Sequence, residues 1–404
     1  MRAIARASAA AALVTWVAAC ADAPSGSSAS SKWVGTWSTS PMCFQAATIL
    51  GLPQNARFDD ESVRMIVRTS LAGDAVRVKL TNQCGSEPLA IGAATIGLRD
   101  ARAGLRPDTV RVLTFGGSSA TAIAAGATAT SDPVDLVVPA LADVAITLYL
   151  PEPTVPTTSH PLSATGWVAT GDATADAAGA AFGRTTAHWV FLASVDVLAG
   201  RGDGAIVAFG DSITEGTGTT FDANRRWPDV LAERLVSAGM PRGVLNQGIN
   251  GNKVLNSLLG ESALLRFDED ALGQSGVEAV VLLEGINDIG LGRPDVTAEE
   301  VIAGYRDLIA RAHARGLPIF GGTLTPAEGN TYPFYAPYDE SKRAAINAFI
   351  RESGAFDAVI DFDAAVRDPA NPTRWRRELS ADLIHPTDAG AEALANAVDL
   401  SLFR

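Results

Sequence analysis

The hydrophobic rhythm of the chain changes near Gly200, and that change constrains the fold more than any other feature. Before it, apolar residues recur at every second position. Val76, Val78 and Leu80 alternate with Arg77, Lys79 and Thr81, and Val144, Ile146, Leu148 and Leu150 alternate with Ala145, Thr147 and Tyr149. Period two puts the apolar set on one face of a strand and leaves the other face wet, the pattern of an antiparallel sheet. After Gly200, short β-branched runs such as Val277–Leu283 alternate with amphipathic stretches such as 298–312. Strand and helix in alternation build a parallel sheet covered on both faces. With 404 residues, 47% of them hydrophobic, the chain is long enough for two such cores. The expected architecture is an all-β sandwich of jelly-roll type over residues 32–199, then a three-layer α/β/α domain with a parallel sheet over residues 200–404.

In the front half, Val63–Ser70, Val110–Phe115, Val134–Val138 and Trp189–Val197 read as further strands, separated by turns such as Gly73-Asp74 and Gly116-Gly117. His160, Trp167, His188 and Trp189 are candidates to line a carbohydrate site, because aromatic faces suit sugar rings; packing within the sheets is the commoner use of such residues. Residues 171–183, rich in Ala, Gly and Asp, read as a mobile loop.

The first residues read as an export signal over 1–19, with Arg2 and Arg6 before a short apolar run from Ala7 to Val17. Val17-Ala18-Ala19-Cys20 resembles a bacterial lipobox, which makes Cys20 the lipidated first residue of the mature chain. Cleavage after Ala21-Asp22-Ala23 is the alternative and yields a freely secreted protein. Residues 20–31 are Ser-rich and read as a flexible tether. The expected location is the cell envelope through the lipid, or the medium.

The net charge is −13, and losing Arg2 and Arg6 with the signal leaves 30 basic against 45 acidic residues, or −15. Such a balance disfavours nucleic acid as a partner. Past the signal, no apolar run reaches the roughly 20 residues of a membrane span, so membrane contact is expected only through Cys20. Cys43 and Cys84 remain, either as a disulfide or as two separate buried thiols. With no Cys-x-x-Cys and no His/Cys cluster, no metal site is expected.

Chemistry concentrates at the ends of the predicted strands of the second half. The run Ala205–Phe209 stops at Gly210-Asp211-Ser212, which sets a serine just past a central strand, where open α/β sheets bind their ligands. Three further polar blocks follow strand ends: 246–252 with Gly251, 284–288 with Asn287, and Asp382-Leu383-Ile384-His385. A serine hydroxyl is a weak nucleophile until a base takes its proton, and histidine is the usual base. Of the four histidines, His313 sits in the last turn of a predicted helix and His160 and His188 lie in the front half. His385 is left, at a loop-to-helix junction, with Asp382 three residues upstream to orient its ring.

The four blocks, Ser212, Gly251, Asn287 and His385 in that order, resemble the SGNH or GDSL-type hydrolase superfamily over about the last half of the chain. The β-rich front half joined to such a domain resembles a bacterial subgroup related to acetylxylan esterases. The resemblance implies a flavodoxin-like α/β/α fold, a Ser212–His385–Asp382 triad, and an oxyanion hole from the N–H groups of Ser212 and Gly251 and the amide of Asn287. It implies no cofactor. Asp211, Glu215, Glu284 and Asp288 are acidic neighbours of these blocks; a glycosidase would use two such carboxylates but would leave Ser212, Gly251 and His385 idle.

The expected activity is hydrolysis of short-chain acyl esters, above all O-acetyl groups on carbohydrates. Tyr332, Tyr335 and Tyr338 interleave with prolines in the loop 325–338 and can form a stiff aromatic wall for a sugar ring. The alternatives are a lipase or lysophospholipase, acyl transfer to a sugar hydroxyl with the same residues, and a non-catalytic glycan-binding lipoprotein.

Overall fold

A computed structural model describes residues 31–43, 57–200, 202–291, 295–332 and 339–404. The signal, most of the tether with Cys20, and Tyr335 and Tyr338 lie outside the described residues.

The front half is a sandwich of two antiparallel sheets. Among the described residues, one sheet contains Lys32–Ser38, Leu192–Ala199, Gly73–Thr81 and Val134–Val138 side by side. The facing sheet runs Arg184–Val190, Thr158–Thr170, Glu61–Arg68, Asp143–Leu150 and Ala93–Leu98. The period-two residues do what their spacing requires: Val76, Val78, Leu80, Val144, Ile146, Leu148 and Leu150 are buried and meet between the sheets. Trp189–Val197 does not form one strand. Phe191, buried and with φ of 56°, ends one strand at Val190 and starts the next at Leu192, which carries the chain from one sheet to the other. Of Val110–Phe115, only Arg111–Val112 pairs as a strand. The loop 171–183 is packed down at two points, with Ala173 and Phe182 buried against Ala103 and Ala169 and the Arg64 guanidinium over the Phe182 ring. Cys43 and Cys84 are joined as a disulfide.

The second half is built on five parallel strands in the order Gly243–Gly248, Ala205–Gly210, Val277–Leu283, Ile319–Gly322, Ala358–Ile360. Ala205–Gly210 is buried at every position, as a central strand between helical layers must be. Ala298–Ala314 is the clearest helix: Thr297 and Glu300 close a capping box at its start, and Val301, Tyr305, Leu308, Ile309 and Ala312 face the sheet. The last helix, Asp388–Ala397, ends where Val398 turns extended and Asp399 caps a separate short turn, Leu400–Phe403. No helix among the described residues is long and apolar enough to cross a membrane.

The two halves share one continuous apolar cluster, from Val34 and Trp37 through Val207 and Leu245 to Phe403. Lys32–Ser38 lies against Gly243–Gly248: Gly35 is packed on Leu245 and its N–H donates to Ser275 O at 2.8 Å. Ser70 Oγ accepts from Val244 N at 2.8 Å. The sandwich is thus docked along one edge of the parallel sheet.

Candidate active site

The strand order sets the site before any side chain is considered. The strand Ala205–Gly210 is first in sequence yet lies between the second and third, so the chain winds to one side of it and then crosses to the other, which opens a crevice at its C-terminal end. Gly210 is level with Gly248 on one side and Leu283 on the other, so the segments with Ser212, Gly251 and Asn287 all emerge at one edge.

The turn after Gly210 is tight. Asp211 caps it by accepting from Ile213 N at 2.9 Å, and Ser212–Glu215 form a single helical turn closed by Gly216 at φ 105°. The turn can sit this low only because two glycines make room. A Cβ on Gly210 would meet Leu283 O at 2.2 Å, and one on Gly248 would meet Glu215 N at 2.1 Å.

Ser212 and His385 come from residues 173 apart and meet here, with Ser212 Oγ 3.0 Å from His385 Nε2. His385 Nδ1 lies 2.7 Å from Asp382 Oδ2. The other oxygen of Asp382 accepts from Ile384 N at 3.0 Å and His385 N at 2.8 Å, so the carboxylate is fixed on both sides. Partial burial pushes the Asp382 carboxyl up, but the hydrogen bond and charge of His385, with the two N–H donors, outweigh it and hold the group down at about 2. Ser212 and His385 are both buried.

Gly251 has φ of 67°, and a Cβ there would press on Leu259 at 2.8 Å. Asn287 lies in the short helix Ile286–Gly290, and its Nδ2 donates to Asn252 O at 2.9 Å. That bond joins the Gly251 loop to the Asn287 helix. Of the three tyrosines, Tyr332 is described: its ring stands edge-on to His385 at 5.6 Å, and the neighbouring Thr331 N donates to Asp382 O at 3.1 Å.

Beneath the site lies a buried hub that the sequence reading missed. The Arg266 guanidinium donates to Gly210 O at 3.0 Å, Gln247 O at 2.8 Å and Asn252 Oδ1 at 3.0 Å, and lies 3.5 Å from Glu284. One side chain therefore ties the ends of all three strands that carry the site, and its flat face lies over Phe209 at 3.9 Å. A signal existed: Arg266 and Asp270 fall on the same helical stripe as Ala263, Phe267 and Ala271, where a surface helix would be apolar. The acidic neighbours are buried with it. Burial pushes Asp211 up to about 7 and Asp288 up to about 6, and raises Glu284 well above the usual carboxylate range. They serve the fold as neutral or paired groups: Asp288, for instance, accepts from Val254 N and Leu255 N.

The four front-half aromatics do not form an exposed sugar platform. His160, His188 and Trp189 are buried, and Arg102 covers the ring of Trp167. Trp189 packs edge-on to Trp37 and donates Nε1–H to Ile66 O, which is core work. His160 reaches out of the sandwich altogether, with Nε2 3.2 Å from Glu215 Oε1 in the turn that holds Ser212. Among the described residues, no group of three or more His, Cys, Asp or Glu side chains could hold a metal ion.

Residues 208–393 match the GDSL-like Lipase/Acylhydrolase family. No curated protein matches the chain. Similar solved structures include a lipase/acylhydrolase from Enterococcus faecalis, 25% identical, covering 48% of this chain and 92% of its own, with a TM-score of 0.38. They also include a GDSL-like lipase from Bacteroides thetaiotaomicron, at 18%, 48%, 84% and 0.38 for the same four quantities. A third is an acetyl xylan esterase, AlAXEase, at 21%, 48%, 96% and 0.36. The parallel-sheet half of this chain is thus the part that matches the GDSL-like Lipase/Acylhydrolase family.

Proposed function

We propose that this chain is a serine esterase that removes short acyl groups, O-acetyl above all, from carbohydrates. The observation that carries the reading is the unbroken contact from Ser212 Oγ through His385 to Asp382 at the sheet edge. Ser212 Oγ attacks the ester carbonyl while its proton passes to His385 Nε2, and Asp382 accepts from His385 Nδ1–H and supports the imidazolium that forms. The carbonyl oxygen becomes an oxyanion, served by the N–H groups of Ser212 and Gly251 and the side-chain amide of Asn287. The C–O bond to the alcohol then breaks, and His385 returns the proton to the leaving oxygen. A water, deprotonated by the same ring, cleaves the acyl-enzyme to acid and free Ser212.

Tyr332 beside His385 supports a sugar as the alcohol part, since a phenol offers an apolar face and a polar tip at the place where the leaving group departs. The charge of −13 weighs against anionic lipid surfaces. The test is a chain-length series of nitrophenyl esters beside acetylated xylan. Acetyl is expected to exceed octanoyl in kcat/KM, and acetate should be released from the polysaccharide. Octanoyl rates equal to or above acetyl rates would move the reading to a lipase. In the same assay Asn287→Ala is expected to lose about 10²–10³ in kcat, the effect of one oxyanion donor, with little change in KM. An Asn287→Ala enzyme with parental kcat would remove that residue from the oxyanion hole.

A further inference from the structure

Glu215 closes the single helical turn that Ser212 opens, and its carboxylate is buried. A carboxylate in such a place needs partners, since desolvating a charge is costly. One oxygen, Oε2, accepts from Thr217 Oγ1 at 2.9 Å, and that hydroxyl in turn accepts from Asn250 Nδ2 at 2.8 Å. Asn250 directly precedes Gly251, so the Glu215 carboxylate links the nucleophile turn to the oxyanion loop. The other oxygen, Oε1, lies 3.2 Å from His160 Nε2, and His160 belongs to the sandwich strand Thr158–Thr170.

The sandwich holds that ring from its other side. His160 Nδ1 lies 2.8 Å from Ser40 O, and the ring lies 5.9 Å from Trp189, tilted by 30°. One ring nitrogen thus lies against a backbone carbonyl of the sandwich and the other beside the carboxylate of the nucleophile turn. Ser40 reaches the same site by a second route: its Oγ donates to Gln247 Oε1 at 2.5 Å and accepts from Arg266 at 2.9 Å. A third tie lies further along the strand, where Thr165 N donates to the Asp222 carboxylate at 2.6 Å.

We propose that His160 is a positioning residue for the esterase site. Supplied by the β-sandwich, it fixes the Glu215 carboxylate and through it the spacing between the Ser212 nucleophile and the Gly251 N–H. The sandwich is then a working part of the enzyme, and the chemistry of the second half depends on a contact that crosses between the halves. This inference rests on the esterase reading above.

The test uses the full chain and compares His160→Ala, His160→Gln and Glu215→Gln with Ser212→Ala. All are assayed on a nitrophenyl acetate at a temperature well below each thermal midpoint. His160→Ala and Glu215→Gln are expected to lower kcat about 10- to 100-fold, as small misplacements of reacting groups do, with KM within about threefold. His160→Gln, whose amide can donate toward Glu215, should recover part of the loss. The double variant His160→Ala/Glu215→Gln should lose no more than the worse single one, because both break the same link. Folded single variants with parental kcat would overturn the proposal, as would a loss that follows the fraction unfolded. If His160→Ala does not fold, His160→Gln and Glu215→Gln decide, and parental kcat in both overturns it. An active Ser212→Ala would instead sink the esterase reading itself, so the two failures are told apart.

Discussion

Ser212→Ala is expected to fold as the parent does and to lose about 10⁶-fold in kcat, the scale seen when a serine nucleophile is removed from a triad. The fold should hold because the turn does not depend on the hydroxyl. Asp211 provides the cap by accepting from Ile213 N, and Gly216 N closes the turn on the Ser212 backbone carbonyl. The hydroxyl contributes one hydrogen bond, to His385, worth about 1 kcal/mol. The loss should fall on kcat, since no acyl-enzyme can form. Thermal unfolding and acetyl-ester turnover on the same preparation check it. Turnover near the parental rate, with parental folding, would remove Ser212 from the mechanism.

Asp382→Asn should cost about 10⁴-fold in kcat with the fold retained, for a different reason. An asparagine oxygen can still accept from Ile384 N and His385 N, so the loop keeps its shape. The amide that replaces Oδ2 would face His385 Nδ1 as a donor. The ring then keeps its proton on Nε2, and it donates to Ser212 when it should accept. The change also has a signature in stability. Asp382 titrates at about 2, below the usual carboxylate value of about 3.9, so the unfolded chain binds the proton more readily. Its contribution is complete above about pH 4 and is lost as pH falls toward 2. Asp211 at about 7 and Asp288 at about 6 act in the opposite direction: their contribution is present below about pH 4 and fades as pH rises through those values. Unfolding measured across pH should therefore show Asp382→Asn with a shallower acid limb and an unchanged limb between pH 5 and 8. A parental acid limb would contradict the assignment.

The strands and helices of the parallel-sheet half were legible because each announces itself locally. Val277–Leu283 is a β-branched run of strand length, and Thr297 with Glu300 marks a helix start within four residues. Ser212, Gly251, Asn287 and His385 could be picked out because each follows an apolar run at its C-terminal end, and a parallel sheet sends all such ends to one edge. Phe191 was harder. Nothing in Trp189–Val197 marks a break, and the left-handed turn there depends on burial between the two sheets.

By itself, the sequence determined the two rhythms, the strand ends that carry polar blocks, and the pairing of Asp382 with His385, all of which depend on residues near one another in the chain. What only the tertiary structure decided are contacts between distant segments. His160 pairs with Glu215, and Ser40 joins Arg266 and Gln247, across separations that no period records. His160 in particular read as a residue of the other half. Its use is settled by how the sandwich docks on the edge of the parallel sheet, which brings one buried ring against one buried carboxylate. Local patterns report which face of an element is apolar; they carry no information about which polar group on another element will meet the few polar groups left on that face.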